Sequence, residues 1–303
     1  MTVVNIGSLN VDYVYSVDHF VRPGETLACA GFERFAGGKG LNQSVALARA
    51  GAAVRHAGKV GRDGEWLRAL LAAEGVDVGL VETVDGPTGH AVIQVNREGQ
   101  NAIVIHGGAN RAITRDDAVR IVRGAKPGDF LLLQNEVSCV ADAIAAGREA
   151  GLRVVFNPAP MDMEVLRYPL SLVDVFVMNE LEGEALTGVR DHDRILDAMR
   201  SRFPDATVAL TLGSRGAAYA AAHARGFVPA EKVEAVDTTA AGDTFVGYLA
   251  AELAAGAEME RAVRIACAAA AICVTRRGAA QSIPRRSELR LLSGGTGASG
   301  ARC

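Results

Sequence analysis

Two short segments bring reactive side chains together with small residues where a helix begins. The first is Asp237-Thr238-Thr239-Ala240-Ala241-Gly242-Asp243-Thr244-Phe245. Small residues just ahead of a helix leave its first backbone N–H groups bare, and with the helix dipole these donors form an anion site. A phosphoryl group in transfer is such an anion. Asp243 falls in the first turn, so its carboxylate faces the same point and can take the proton of an acceptor hydroxyl while the amides hold the developing charge. A plain helix cap also accounts for one Asp. Two acids and a small-residue turn within nine positions favour the catalytic reading.

The second segment, Gly37-Gly38-Lys39-Gly40-Leu41-Asn42-Gln43, also opens a helix. Its glycines allow a ligand close to the backbone, and Lys39 and Asn42 supply donors for hydroxyl groups. A glycine-rich turn with a solvated Lys explains a lone segment of this kind equally well. It is not a Walker A loop, which would need glycine where Glu33 stands.

Polar residues also gather where strands end, the place at which open α/β sheets bind ligands. Gly7-Ser8-Leu9-Asn10-Val11-Asp12 leaves the first strand, and its Asn and Asp read either as ligand groups or as turn formers. In Met178-Asn179-Glu180-Leu181-Glu182, Glu182 could hold a Mg²⁺-phosphate complex through water, or the segment is simply a capping Asn with first-turn acids. Thr211-Leu212-Gly213-Ser214-Arg215-Gly216 follows a buried strand and suits a nucleotide phosphate or ribose, and Glu136 is one more acid at a strand end.

The elements that must position these groups follow from periodicity. A buried strand covers residues 3–7, and helices cover 41–50 and 65–73, each closed by a glycine. Short β-type runs at 91–95 and 102–105 flank a hairpin turn at 97–100. From residue 114, helices at 115–123, 139–150, 180–187 and 193–201 alternate with strands at 130–133, 153–156, 173–178 and 208–212. Helices at about 242–255 and 258–275 close the pattern. Such alternation predicts an α/β fold, a mostly parallel sheet covered by helices on both faces. The stretches 11–36 and 88–108 break it and are expected to form a small second sheet projecting from the core. Residues 1–292 read as one domain, and 293–303 as a flexible Gly-rich tail. The G-x-G-x-x-G in that tail has neither a strand before it nor a helix after it, so it is no dinucleotide fingerprint.

Composition excludes several classes. Of 303 residues, 49% are hydrophobic and 22% charged, which rules out a disordered chain. With 32 Lys and Arg against 35 Asp and Glu, there is no basic footprint for nucleic acid. Five cysteines without a CxxC pair fit neither a disulfide framework nor a structural zinc site. No apolar run reaches membrane-spanning length and the first residues lack signal-peptide character, so a soluble cytoplasmic setting without membrane partners is expected.

Together, the GGKG-x-NQ segment at 37–43 and the DTxAAGDTF segment at 237–245 resemble the two signatures of the ribokinase/PfkB carbohydrate kinase family, in order and with family spacing from Val3 to about Arg290. The resemblance implies a three-layer α/β/α core with a β-sheet lid, and ATP-dependent phosphorylation of the ribose 5-hydroxyl. It implies sugar contacts from Asn10, Asp12, Gly38, Lys39, Asn42 and Glu136, with Asp243 as base and the amides of Ala240, Ala241, Gly242 and Asp243 as anion hole. ATP would be held by Asn179, Thr211, Gly213, Ser214, Gly216, Gly242 and Cys267, with Glu182 assisting Mg²⁺ through water. An activating K⁺ would draw on Asp237, Thr239, Cys273, Arg276, Gly278 and Ser282, several through backbone carbonyls. The lid would close over the sugar and form a homodimer contact. Two departures stand out: Cys267, where His or Asn is usual near adenine, and Asn135, where an apolar residue is frequent beside the sugar pocket. The alternatives are a kinase of a related sugar or nucleoside (deoxyribose, fructose, a nucleoside) and, from another class, a non-catalytic sugar-binding protein.

Overall fold

A computed structural model describes residues 1–221 and 224–291. The tail assigned to 293–303 lies outside the described residues. The chain begins with β1 (Thr2–Ile6), β2 (Asn10–Ser16), β3 (Gly31–Gly37), α1 (Lys39–Arg49), β4 (Ala53–Val60), α2 (Glu65–Ala73) and β5 (Asp77–Thr83). It continues through β6 (Gly89–Val95), β7 (Asn101–His106), α3 (Arg115–Arg123), β8 (Phe130–Gln134), α4 (Val140–Glu149), β9 (Arg153–Asn157) and β10 (Val175–Asn179). The last elements are α5 (Glu180–Thr187), α6 (His192–Arg202), β11 (Thr207–Thr211), β12 (Gly216–Ala220), β13 (Arg225–Pro229), α7 (Ala241–Ala254) and α8 (Met259–Cys273).

Nine strands form one sheet in the order β13-β12-β11-β10-β9-β8-β1-β4-β5. It is parallel from β11 to β5, and β12 and β13 add an antiparallel edge. Parallel strands are buried on both faces, and β8 (Phe-Leu-Leu-Leu-Gln) is buried at every residue. Two apolar layers result. One packs α1, α2, α7 and α8 against the sheet, and the other packs α3 to α6. The expected three-layer fold is therefore present.

The chain runs from β1 outward to β4 and β5, then returns to β8 on the other side of β1. The β1–β8 boundary is thus a switch point, where the loops leaving two neighbouring strands diverge and open a crevice. Gly7-Ser8 leaves β1 there and Asn135-Glu136 leaves β8.

The projecting sheet also exists, as β3-β2-β6-β7, close to the ranges expected. Strands β4, β5, β12 and β13 were not foreseen as members of the large sheet. Among the described residues, no helix is long and apolar enough to cross a membrane.

Candidate active site

The residues expected to contact a sugar converge at the switch point. Ser8 donates its hydroxyl to Glu136 Oε2 at 2.5 Å, and the Lys39 backbone N–H donates to the same oxygen at 2.9 Å. Gly40 N–H donates to Ser8 Oγ at 3.1 Å, which draws the start of α1 onto the end of β1. Gly38 adopts a φ of 93°, the left-handed region that glycine tolerates, to make this entry. Asp12 rises from strand β2 of the smaller sheet beside the backbone of Gly37, where a Cβ would lie 2.1 Å from Asp12 Oδ2. Burial, with Glu136 close by, pushes the Asp12 carboxyl up to about 6. Burial also raises Glu136, partly offset by the Lys39 ammonium. Lys39 is itself held charged chiefly by Asp243, then by Glu136 and Glu182.

Asp243 lies in the first turn of α7 and is buried. Its two oxygens accept from two amides of α1, Asn42 Nδ2 at 3.0 Å and Gln43 Nε2 at 2.9 Å. Asn42 Oδ1 is buried with no partner in the described residues, an acceptor left for a ligand hydroxyl. Ahead of Asp243, Ala240 has a φ of 59°, a strained left-handed turn for a residue with a side chain. The Gly242 and Asp243 N–H groups find no acceptor among the described residues, whereas the Ala241 N–H points to Thr238 O at 3.3 Å. One of the four amides expected to hold a phosphoryl group is thus turned toward the protein.

Two cavities meet at this turn. One, of about 220 Å³, is lined by Lys39, Asn179, Glu182 and Asp243 among others. The second, of about 440 Å³, is lined by Gly213, Ser214, Gly216 and Cys267 together with apolar Val233, Phe245 and Val274. Thr211, Thr238 and Gly242 line both. An apolar slot beside a polar cavity and bare amides suits a nucleotide base on one side and its phosphates on the other. Cys267 therefore lies in the slot, where burial pushes its thiol up to about 12. Asn179 and Glu182 form a reciprocal capping box at the start of α5, each taking the other's backbone N–H at 2.9 Å. Glu182 both caps the helix and lines the cavity.

Most of the residues expected around a monovalent cation also cluster. Asp237 accepts N–H bonds from Thr239 and Gly278, both at 2.9 Å, and Cys273 Sγ lies 3.1 Å from Ser282 Oγ. Carboxylate, carbonyl and hydroxyl oxygens are the donors a hard cation takes, so these loops fit such an ion. The Arg276 side chain departs to Glu288 at 2.5 Å, leaving only its backbone in the cluster. Asn135, just after β8, braces the segment that follows β9 through Pro160 O (2.8 Å), Asp162 (3.1 Å) and Tyr168 (2.8 Å).

Several participants had no role in the sequence reading. Ser8 and Gln43 stood inside motifs that drew attention for other residues, and Asn110, Gln134 and Asn157 gave no local signal at all. Asn110 Nδ2 donates to Asn10 Oδ1 at 2.7 Å, and Asn157 Oδ1 accepts from Gln43 Nε2 at 3.1 Å.

Comparison with known proteins gives the family of the chain. Residues 2–286 match the pfkB family of carbohydrate kinases. A ribokinase of Haemophilus influenzae is 38% identical over 95% of this chain and 96% of its own length. A deoxyribokinase of Salmonella typhi is 35% identical over 94% of this chain and 96% of its own. The structure of Arabidopsis thaliana ribokinase complexed with ribose and ATP superposes with a TM-score of 0.87 at 32% identity, covering 97% of this chain and 99% of that one. The chain belongs to the pfkB family of carbohydrate kinases and has the ribokinase fold.

Proposed function

We propose that this protein transfers the terminal phosphoryl group of ATP to the 5-hydroxyl of D-ribose, giving D-ribose 5-phosphate and ADP. The observation that carries the proposal is the position of Asp243. It lies in the polar cavity, one residue from the bare Gly242 amide, beside the mouth of the apolar slot. An acceptor hydroxyl there gives its proton to Asp243 as the new P–O bond forms, and the unpaired amides of α7 stabilise the charge on the phosphoryl oxygens.

Asn10, Asp12, Gly38, Lys39, Asn42 and Glu136 hold the sugar in this reading. Lys39 sits between Asp243, Glu136 and Glu182 and offsets their mutual repulsion. Glu182, at the wall of the polar cavity, would hold Mg²⁺ through water, and the ion would neutralise the phosphate oxygens. The 237–239 and 273–282 loops would hold K⁺, which would supply positive charge near the start of α7, and replacing K⁺ by Na⁺ in the assay tests that assignment.

The lid covers the sugar and pairs with a second copy. Register places Val14, Phe35, Ala91, Ile93, Ile103 and Ile105 on the lid face that carries Asp12. Ile103 and Ile105 are 51% and 62% exposed, an apolar patch of the kind that a partner covers. Free cysteines fit a reducing cytoplasm.

A coupled ADP-release assay with ribose, ATP, Mg²⁺ and K⁺ should give saturable turnover. Asp243→Asn should lose at least about a hundredfold, the lower scale for general-base catalysis. Full activity in that variant would remove Asp243 from the chemistry. The deoxyribokinase relative makes 2-deoxyribose the competing substrate. A pocket that hydrogen-bonds a hydroxyl rejects the analogue lacking it, because its own buried groups go unpaired. Preference for 2-deoxyribose over ribose would overturn the substrate assignment.

A further inference from the structure

A chain of buried amides runs from the backbone of α1 to Asp243, and each hydrogen bond in it fixes the direction of the next. It starts at the Gly40 carbonyl, which can only accept. Asn5 Nδ2 donates to that oxygen at 2.8 Å and to Ser44 Oγ at 2.8 Å, so the Asn5 oxygen must face the other way. Asn5 Oδ1 accepts from Gln134 Nε2 at 3.0 Å, and the same amide nitrogen donates to Gln43 Oε1 at 2.7 Å. With its oxygen occupied, Gln43 turns its nitrogen to Asp243 Oδ1 at 2.9 Å and Asn157 Oδ1 at 3.1 Å. A flipped Gln43 would put its oxygen against both of these acceptors and its nitrogen against that of Gln134. Asn5, Gln43, Ser44 and Gln134 are all at or below 1% exposed, so water cannot supply a substitute partner.

The far end of the chain agrees in polarity. Ser44 Oγ accepts from Asn5, so its own hydrogen goes to His56 Nδ1 at 2.8 Å, which requires that nitrogen to be bare. Burial keeps His56 neutral by lowering its pKa to about 4.

We infer that Gln43 is a positioning residue for the reaction, and that the buried Asn5–Gln134–Gln43 chain is what holds its amide nitrogen on Asp243. Nothing in the chain beyond Gln43 touches the carboxylate or lines the cavities. Gln43 orients one oxygen of Asp243 and Asn42 the other, and Asn42 also offers its free Oδ1 to the ligand. Gln43 has no spare group for a ligand: its nitrogen and its oxygen are both taken by protein. Its contribution is therefore to the geometry of the carboxylate and should appear in turnover rather than in sugar affinity.

The inference rests on Asp243 being the base, and a double-mutant cycle separates the two claims. Gln43→Leu should lower kcat about ten- to a hundredfold with the ribose KM within about threefold, the scale of a reacting group displaced by a fraction of an ångström. Gln134→Leu, remote from ligand, should also lower kcat, by about fivefold or more, because it leaves the buried Gln43 Oε1 without its donor and loosens the amide that holds Asp243. The double variant should be no worse than Gln43→Leu alone. Circular dichroism melts and the KM for ATP report whether each variant is folded. Gln43→Met, which keeps the side-chain length without the amide, covers the case where leucine does not pack; it should show the same loss in kcat. A kcat unchanged in Gln134→Leu, or losses that multiply in the double variant, would overturn the inference. If Asp243→Asn is inactive while the cycle shows no coupling, only the positioning role falls. If Asp243→Asn is fully active, the base assignment falls with it.

Discussion

Asn110 holds Asn10 in one orientation. The Leu9 N–H donates to Asn110 Oδ1 at 3.0 Å, so the Asn110 nitrogen points to Asn10 Oδ1, 2.7 Å away. With its oxygen taken, Asn10 is left to present its amide nitrogen, a donor, toward the sugar side. A backbone N–H thus sets the hydrogen-bonding sense of a residue in the proposed sugar pocket, as a backbone carbonyl does for Asp243.

Removing that support should act on sugar binding. Asn110→Leu frees Asn10 to flip and strands the Leu9 N–H, so the ribose KM should rise about tenfold while kcat stays within about threefold, the value of one misoriented buried hydrogen bond. Steady-state kinetics with ribose varied at saturating ATP gives both numbers. An unchanged KM would place Asn10 outside the sugar contacts.

Two glycines of the signatures should respond oppositely to alanine. A Cβ on Gly40 would lie 2.3 Å from Ser8 N and 2.5 Å from Gly7 backbone atoms, which cannot move without separating α1 from β1. Gly40→Ala should therefore cost stability, about 2–4 kcal/mol on the scale of severe core overpacking. A Cβ on Gly242 meets nothing within 4 Å. Gly242→Ala should melt like the parent but fill space at the junction of the two cavities, cutting kcat/KM for ATP about tenfold or more by displacing phosphate from the amides. Thermal melts beside ATP kinetics test both, and a Gly242→Ala enzyme with unaltered ATP kinetics would remove that amide from the anion hole.

What the sequence revealed follows from how local each signal is. Helices α3 and α5 carry their own capping boxes, Thr114–Asp117 and Asn179–Glu182, and were legible from one end. Strand β4 was missed because Arg55, His56 and Lys59 disguise it, although it lies between β1 and β5 and His56 Nδ1 pairs with Ser44 inside the core. Strand β12, Gly-Ala-Ala-Tyr-Ala, has little β propensity and is made a strand by its neighbours. The same holds at the site. Asp243 announced itself through nine adjacent residues, but Gln43 joins it across 200 positions and Asn110 joins Asn10 across 100. No local pattern encodes pairs that far apart; only the family resemblance connected the two signatures beforehand.

The Asp12 carboxyl gives a pH signature in the unliganded protein. Its folded pKa of about 6 lies above the ordinary value of 3.8. The fold therefore holds its proton more tightly than the unfolded chain, so this group lowers stability as pH rises from about 4 through about 6. Asp12→Asn should remove the penalty, raising stability by about 1 kcal/mol at pH 7.5 once partial solvent contact is allowed for, and by almost nothing at pH 4. Melts of both proteins at the two pH values check this. An equal difference at both would mean that burial beside Glu136 does not strain Asp12.

The lid face offers the last test. Edge strand β7 is exposed along its whole length, and Ile103 and Ile105 share the face of Asp12. An edge strand with bare isoleucines on a monomer invites pairing with another chain, which natural sheets normally block with charge. If the second copy covers this face, it also shields the sugar side of the lid, and the two effects must be lost together. Ile103→Glu with Ile105→Glu should convert a dimer to a monomer in sedimentation velocity and raise the ribose KM, while the melting temperature of the α/β core changes little. A parent protein that sediments as a monomer, or a double variant that still dimerises, would move the subunit contact away from the lid.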